Sequence, residues 1–203
     1  MPLRDHFRPP LDDETSWEGL HGAWPTTIVM AINPLLPPRY VAAPRVHLGS
    51  FTEQPDQDEY EVRVFDTKRH RRLVAAVELV SPANKDRPDS RRAFVAKCAA
   101  LLQQRVSVAI VDRVTTRQFN LYADLLDLIG QTDPSLAPEP PSLYAAACRW
   151  NHKENAWHFE TWAHPLALKH SLPTLPLWLA ENFAVPHDLE SSYEEACRIL
   201  RIA

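Results

Sequence analysis

Three stretches of this sequence predict an α/β protein, a mixed sheet flanked by helices. LVAAVELVSP (73–82) is almost continuously apolar, as a strand buried on both faces requires. VSVAIVD (106–112) has the same character. Between them runs a helical pattern, from a cap at Asp89 or Ser90 to about Gln104, with Phe94, Val95, Cys98, Leu101 and Leu102 on one stripe. Strand, helix and strand at this spacing make a right-handed parallel crossover.

The other elements follow in order. Residues 1–15 are Pro-rich and charged and read as a flexible arm. Ser16 is an N-cap for a helix carrying Trp17, Leu20, Trp24, Ile28 and Ile32, kinked or divided at Pro25 and ended by NPLLPPR (33–39). RYVAAPRVHLGS (39–50) reads as a strand that Pro44 confines to an edge, and FTEQPDQD (51–58) as a loop. EYEVRVFD alternates as a strand, and TKRHRR (67–72) closes a hairpin. FNLYADLLDLIG (119–130) is a helix stopped by Gly130. QTDPSLAPEPPS (131–142) is a linker. LYAAACRW and AWHFETWA then flank NHKEN as a hairpin. PLALKHSLPTLPLWL fits no one element, and Asp188 caps a closing helix with Leu189, Tyr193, Ala196 or Cys197, and Leu200 inward. The expected organisation is an arm (1–15) and one domain (16–203), with a core over 16–130, the linker, and a C-terminal hairpin-and-helix extension over 143–203.

Composition excludes several functions. The chain has 203 residues, 19 prolines and only 4 glycines, and no two glycines fall in a phosphate-cradling pattern. P-loops, dinucleotide-binding turns and kinase-type glycine loops are therefore out. A net charge of −4 supplies no whole-protein attraction for nucleic acid, so local basic clusters must do so. Cys98, Cys148 and Cys197 have no metal-type or disulfide spacing and read as buried thiols of a cytoplasmic protein. No apolar run reaches membrane-spanning length. His152, His158, His164 and His170 recur at an interval that suits neither a helix face nor a zinc site. Trp150, Trp157 and Trp162 read as the packed face of a hairpin rather than a base-stacking platform.

VELVSPANK (77–85) is the segment least like scaffolding. Glu78 lies in an apolar strand, where an unpaired carboxylate costs several kcal/mol. It must be paired, protonated or a ligand. The strand ends in a polar turn, where open α/β sheets place ligands; there Ser81 and Asn84 suit capping, and Lys85 suits a phosphate contact.

This motif, with the following helix bearing Lys97, VSVAIVD, INPLLPPRY (32–40) and SLPTLPLWL, resembles a bacterial domain-of-unknown-function family (number 4058) with a VELxSPxNK motif. The resemblance runs from about Trp17 onward. More distantly, Glu78 and Lys97 resemble the PD-(D/E)xK and Uma-type endonuclease-like proteins, which implies a restriction-endonuclease-like core. Such sites hold Mg²⁺ or Mn²⁺ with carboxylates on adjacent strands and place a lysine beside them. The resemblance thus implies Glu78 as metal ligand, Lys97 as charge stabiliser, and Glu61 or Asp112 as the second acid. Val80, Arg63 and Ala109 stand where that pattern carries a lysine or acids, and Arg63 is placed to neutralise Glu78 instead.

Lys68, Arg69, Arg71 and Arg72, in a basic hairpin tip, are candidate nucleic-acid phosphate contacts together with Lys85; the plain alternative is a solvated turn. Two functions follow. One is a catalytically degenerate domain of nuclease-like fold that binds nucleic acid or another protein. The alternative is a divalent-metal-dependent nuclease acting through Glu78 and Lys97.

Overall fold

A computed structural model describes residues 2–47, 59–136 and 138–202. Its helices are α1 (Leu11–Glu14), α2 (Trp17–Ile32), α3 (Pro82–Asp86), α4 (Pro88–Gln103), α5 (Leu121–Ile129) and α6 (Leu189–Ile199). Six strands, β1 (Tyr40–His47), β2 (Glu59–Asp66), β3 (Arg72–Leu79), β4 (Ser107–Asp112), β5 (Tyr144–Lys153) and β6 (Ala156–Pro165), form one sheet in chain order. β7 (Thr174–Ala180) and β8 (Phe183–Asp188) form a second, two-stranded sheet. Among the described residues, only β3 and β4 pair in parallel, joined through α4. The fold is therefore mixed α/β with flanking helices.

The central strands are apolar on both faces because both faces are covered. Ala75, Val77 and Leu79 of β3 and Ala109 and Val111 of β4 join a core with α2, α6 and β7. Ala76, Val80, Val108 and Ile110 join a second core with α4 and α5. Glu78 falls between Ala76 and Val80 in this alternation, on the α4 side. Cys98 and Cys148 lie in the α4 core and Cys197 in the α2–α6 core; all three are free and buried. Among the described residues, no helix is long and apolar enough to cross a membrane.

Several expectations change. Residues 2–14 dock rather than float: Leu3, His6 and Phe7 are buried, and Leu3 exchanges backbone hydrogen bonds with Lys169 and His170. Composition misses this because the groove receiving Leu3 comes from the far end of the chain. α2 runs unbroken past Pro25. α4 starts at Pro88 with no side-chain cap, so neither Asp89 nor Ser90 plays that part. SPANK is not a turn but the short helix α3, with Ser81 and Asn84 forming a reciprocal capping box. The β5–β6 hairpin is no appendage; β5 pairs with β4 and extends the main sheet. The unassigned Pro-rich run contains β7, in which Pro176 lies opposite Pro186 of β8. Two prolines facing each other in a two-stranded ribbon defeat a reading based on strand propensity. The loop expected at 51–58 lies outside the described residues.

Candidate functional site

Antiparallel register sets Glu61 of β2 directly opposite Glu78 of β3, and Arg45 of β1 opposite Glu61. Paired residues share a face, so all three project toward α4. Two carboxylates directly opposed repel unless a proton or a cation lies between them. Both remedies are present. Lys97 reaches down from α4, its Nζ 2.7 Å from Glu78 Oε2 and 3.5 Å from Glu61 Oε2. Arg45 Nη1 donates to Glu61 Oε1 at 3.1 Å, and Arg63 Nε stands 2.7 Å from the same oxygen in ion-pair contact.

The two acids differ in protonation. Burial pushes the Glu78 carboxyl up to about 8; Lys97 opposes this and the neighbouring Glu61 charge reinforces it. Burial also acts to raise Glu61, but the hydrogen bond with Glu78 and the charges of Lys97 and Arg63 outweigh it and hold the group below its usual range. At neutral pH, Glu78 therefore carries the proton and Glu61 the charge. Among the described residues, three cations then surround one charged carboxylate.

The vertical order matters as much as the sum. The Glu61 and Glu78 side chains are 0% and 2% exposed, whereas those of Arg45, Arg63 and Lys97 are 47%, 27% and 24% exposed. The acids are the floor and the cations the solvent-facing layer. A resident Mg²⁺ or Mn²⁺ does not fit this set. Two acids, one of them protonated, are few for a hard cation that takes six or more oxygens, and three cations crowd them. No group of three or more His, Cys, Asp or Glu able to hold a metal ion occurs among the described residues.

The remaining sequence-derived residues separate. Asp112 is not the second acid: its Oδ2 accepts from Lys85 Nζ at 2.8 Å and its Oδ1 from the Val114 N–H at 3.0 Å. Lys85 is equally removed from any phosphate, since both side chains of this pair are fully buried. The sequence misleads here because α3 turns Lys85 inward, where a loop would have left it in water. Arg63 neutralises Glu61 rather than Glu78. At the hairpin tip Lys68, Arg69 and Arg71 are exposed, Arg69 lying 3.7 Å from Asp66 and Arg71 over the Phe65 ring. Arg72 begins β3, opposite Asp66.

Arg45 is the member of the cluster that sequence reasoning missed. Its only available signal is its place on an edge strand beside Pro44, and the register bringing it to Glu61 depends on the long β1–β2 connection. Comparison with protein-family models, with curated proteins and with solved structures returned no match.

Proposed function

We propose that this protein is a nucleic-acid-binding domain of nuclease-like build, whose acid–lysine cluster is closed into an ion-pair network and does not hydrolyse. The observation that carries this reading is the layering around Glu61 and Glu78. A polyanion approaching this face meets Arg45, Arg63 and Lys97 first, and the acids lie beneath them. Phosphate contacts of this kind give affinity with little sequence preference. The basic tip at Lys68, Arg69 and Arg71 adds charge at the far end of the same β2–β3 hairpin.

Binding of labelled single-stranded and duplex oligonucleotides, measured by anisotropy between 50 and 200 mM salt, tests the reading. Affinity should fall steeply with salt, and the double variant Arg45→Glu/Arg63→Glu should lower it and flatten the slope. Affinity that is absent at low salt, or indifferent to these charges, removes the reading. Phosphodiester hydrolysis through Glu78 and Lys97 has one observation in its favour, the two opposed carboxyl groups with a lysine beside them. A rise in melting temperature with millimolar Mg²⁺ or Mn²⁺, together with cleavage abolished by Glu78→Gln, would establish it instead.

A further inference from the structure

The end of the sheet where β3 and β4 begin carries a pocket of about 400 Å³, within the size range of small-ligand sites. Its wall is unusual in composition: arginines from five positions and tryptophans from three meet there. Three arginines are engaged. Arg39 and Arg69 pair with Asp66, and Arg149 pairs with Glu160 at 2.7 Å while lying 3.5 Å over the Trp178 ring. Arg72 and Arg105 differ, since among the described residues neither has a carboxylate in ion-pair contact.

Arg105 occupies a position that ordinarily belongs to glycine. It follows α4 with φ +61°, and the bonds Arg105 N–H to Leu102 O and Val106 N–H to Leu101 O, both 3.0 Å, make a Schellman closure. A side chain there strains the backbone, and strain of this kind concentrates where a side chain is needed. The guanidinium is set 3.6 Å over the ring of Trp157. Trp157 is 49% exposed, its ring also meeting His152 at 4.9 Å between centroids; Trp150 packs on Phe159 and Trp162 on Trp178.

Polar atoms that line the pocket from the β7 side of the sheet, the face opposite Trp157, lack partners. Asn151 is 2% exposed and Ser107 5%, yet Asn151 Oδ1 and Ser107 Oγ make no hydrogen bond, and neither does Trp178 Nε1. Buried donors and acceptors are rarely left unpaired. These buried atoms border the pocket, and the exposed guanidinium groups of Arg72 and Arg105, neither in ion-pair contact with a carboxylate, stand beside its aromatic rings.

We propose that this pocket binds a nucleotide unit of a single-stranded nucleic acid, the base stacking at Trp157 and Arg105 and the phosphate held by Arg72 and Arg105. An unpaired base offers the exposed ring face that stacking requires and a duplex does not. Lys68 and Arg71, beside Arg69 and Arg72 in the chain, carry the neighbouring phosphates. The proposal rests on the nucleic-acid-binding reading and names its site, which is separate from the Glu61–Glu78–Lys97 cluster.

The test is anisotropy of a fluorescent ten-nucleotide oligo(dT) and oligo(rU) with the full chain, wild type against Arg105→Gly, Trp157→Ala and Arg72→Ala. Arg105→Gly relieves the strained φ, so its melting temperature should equal or exceed that of wild type while affinity falls fivefold or more. Trp157→Ala should weaken binding by about fivefold to a hundredfold, the range of one lost stack. A duplex of the same length should bind more weakly and respond to neither change. Oligonucleotide binding that persists unchanged in all three variants but is lost in Arg45→Glu/Arg63→Glu overturns this site and leaves the wider reading standing. No binding of any oligonucleotide by wild type removes both. A nucleoside monophosphate that binds as tightly as the oligonucleotide overturns the assignment to a strand.

Discussion

Glutamine in place of Glu78 keeps the shape and hydrogen bonding of a protonated carboxyl but does not titrate. With its folded-state value raised to about 8 from 4.5, Glu78 keeps a proton that the unfolded chain has lost. Its contribution is therefore full below about pH 4.5 and disappears as pH rises through about 8. One pKa unit corresponds to about 1.4 kcal/mol, so between pH 6 and pH 8 wild type should lose up to about 2–3 kcal/mol from this group. For a chain of this length that is a fall of roughly 5–10 °C in melting temperature. Glu61 is shifted the other way, titrates below this window and leaves it flat. Asp112 is present in both proteins, so its contribution cancels in the difference. Urea unfolding of wild type and Glu78→Gln at pH 6, 7 and 8 gives that difference directly, and it should move in favour of glutamine with each step. Parallel curves would refute the protonated dyad.

Other perturbations address separate parts of the fold. Lys85→Ala leaves Asp112 buried without its cation and should cost about 3–5 kcal/mol in denaturant unfolding, more at pH 8 than at pH 5.5 because Asp112 can take up a proton. Lys85→Met/Asp112→Leu should recover most of that loss. Burial lowers His187 to about 4, and neither of its ring nitrogens has a hydrogen-bond partner. Its contribution is present above pH 6.5 and lost as pH falls, so His187→Leu should gain about 2 kcal/mol relative to wild type on going from pH 7.5 to pH 5, read by thermal melts. Gly130 ends α5 at φ +66° with open space where a Cβ would sit, so Gly130→Ala should cost only the backbone strain, about 1 kcal/mol in equilibrium unfolding.

The layers were legible wherever one local pattern decided the outcome. The uninterrupted apolar run around Val77, the stripe from Phe94 to Leu102, Gly130 as a stop and Asp188 as a cap all act within a few residues. Glu78 stood out for the same reason, a carboxylate where neighbours demand hydrocarbon, and Lys97 lies within reach across the crossover. What failed depends on distant register. Arg45 meets Glu61 only because β1 and β2 pair as they do. Lys85 and Asp112 find each other across 27 positions, and nothing local tells a buried lysine from a solvated one. The pocket at the start of β3 is the extreme case, since Arg72, Trp157 and Trp178 come from three strands and Arg105 from the join between α4 and β4.

The three thiols make the molecule its own reporter of breathing. Burial raises all of them, Cys148 to about 12, so in the closed fold none presents the thiolate that alkylating reagents attack. Labelling then waits for an opening event. Because Cys98 and Cys148 lie under one layer of helices and Cys197 under the other, mass spectrometry of timed alkylation separates the two halves of the sandwich. A ligand that tightens only one half would slow its own cysteine and leave the other clock running.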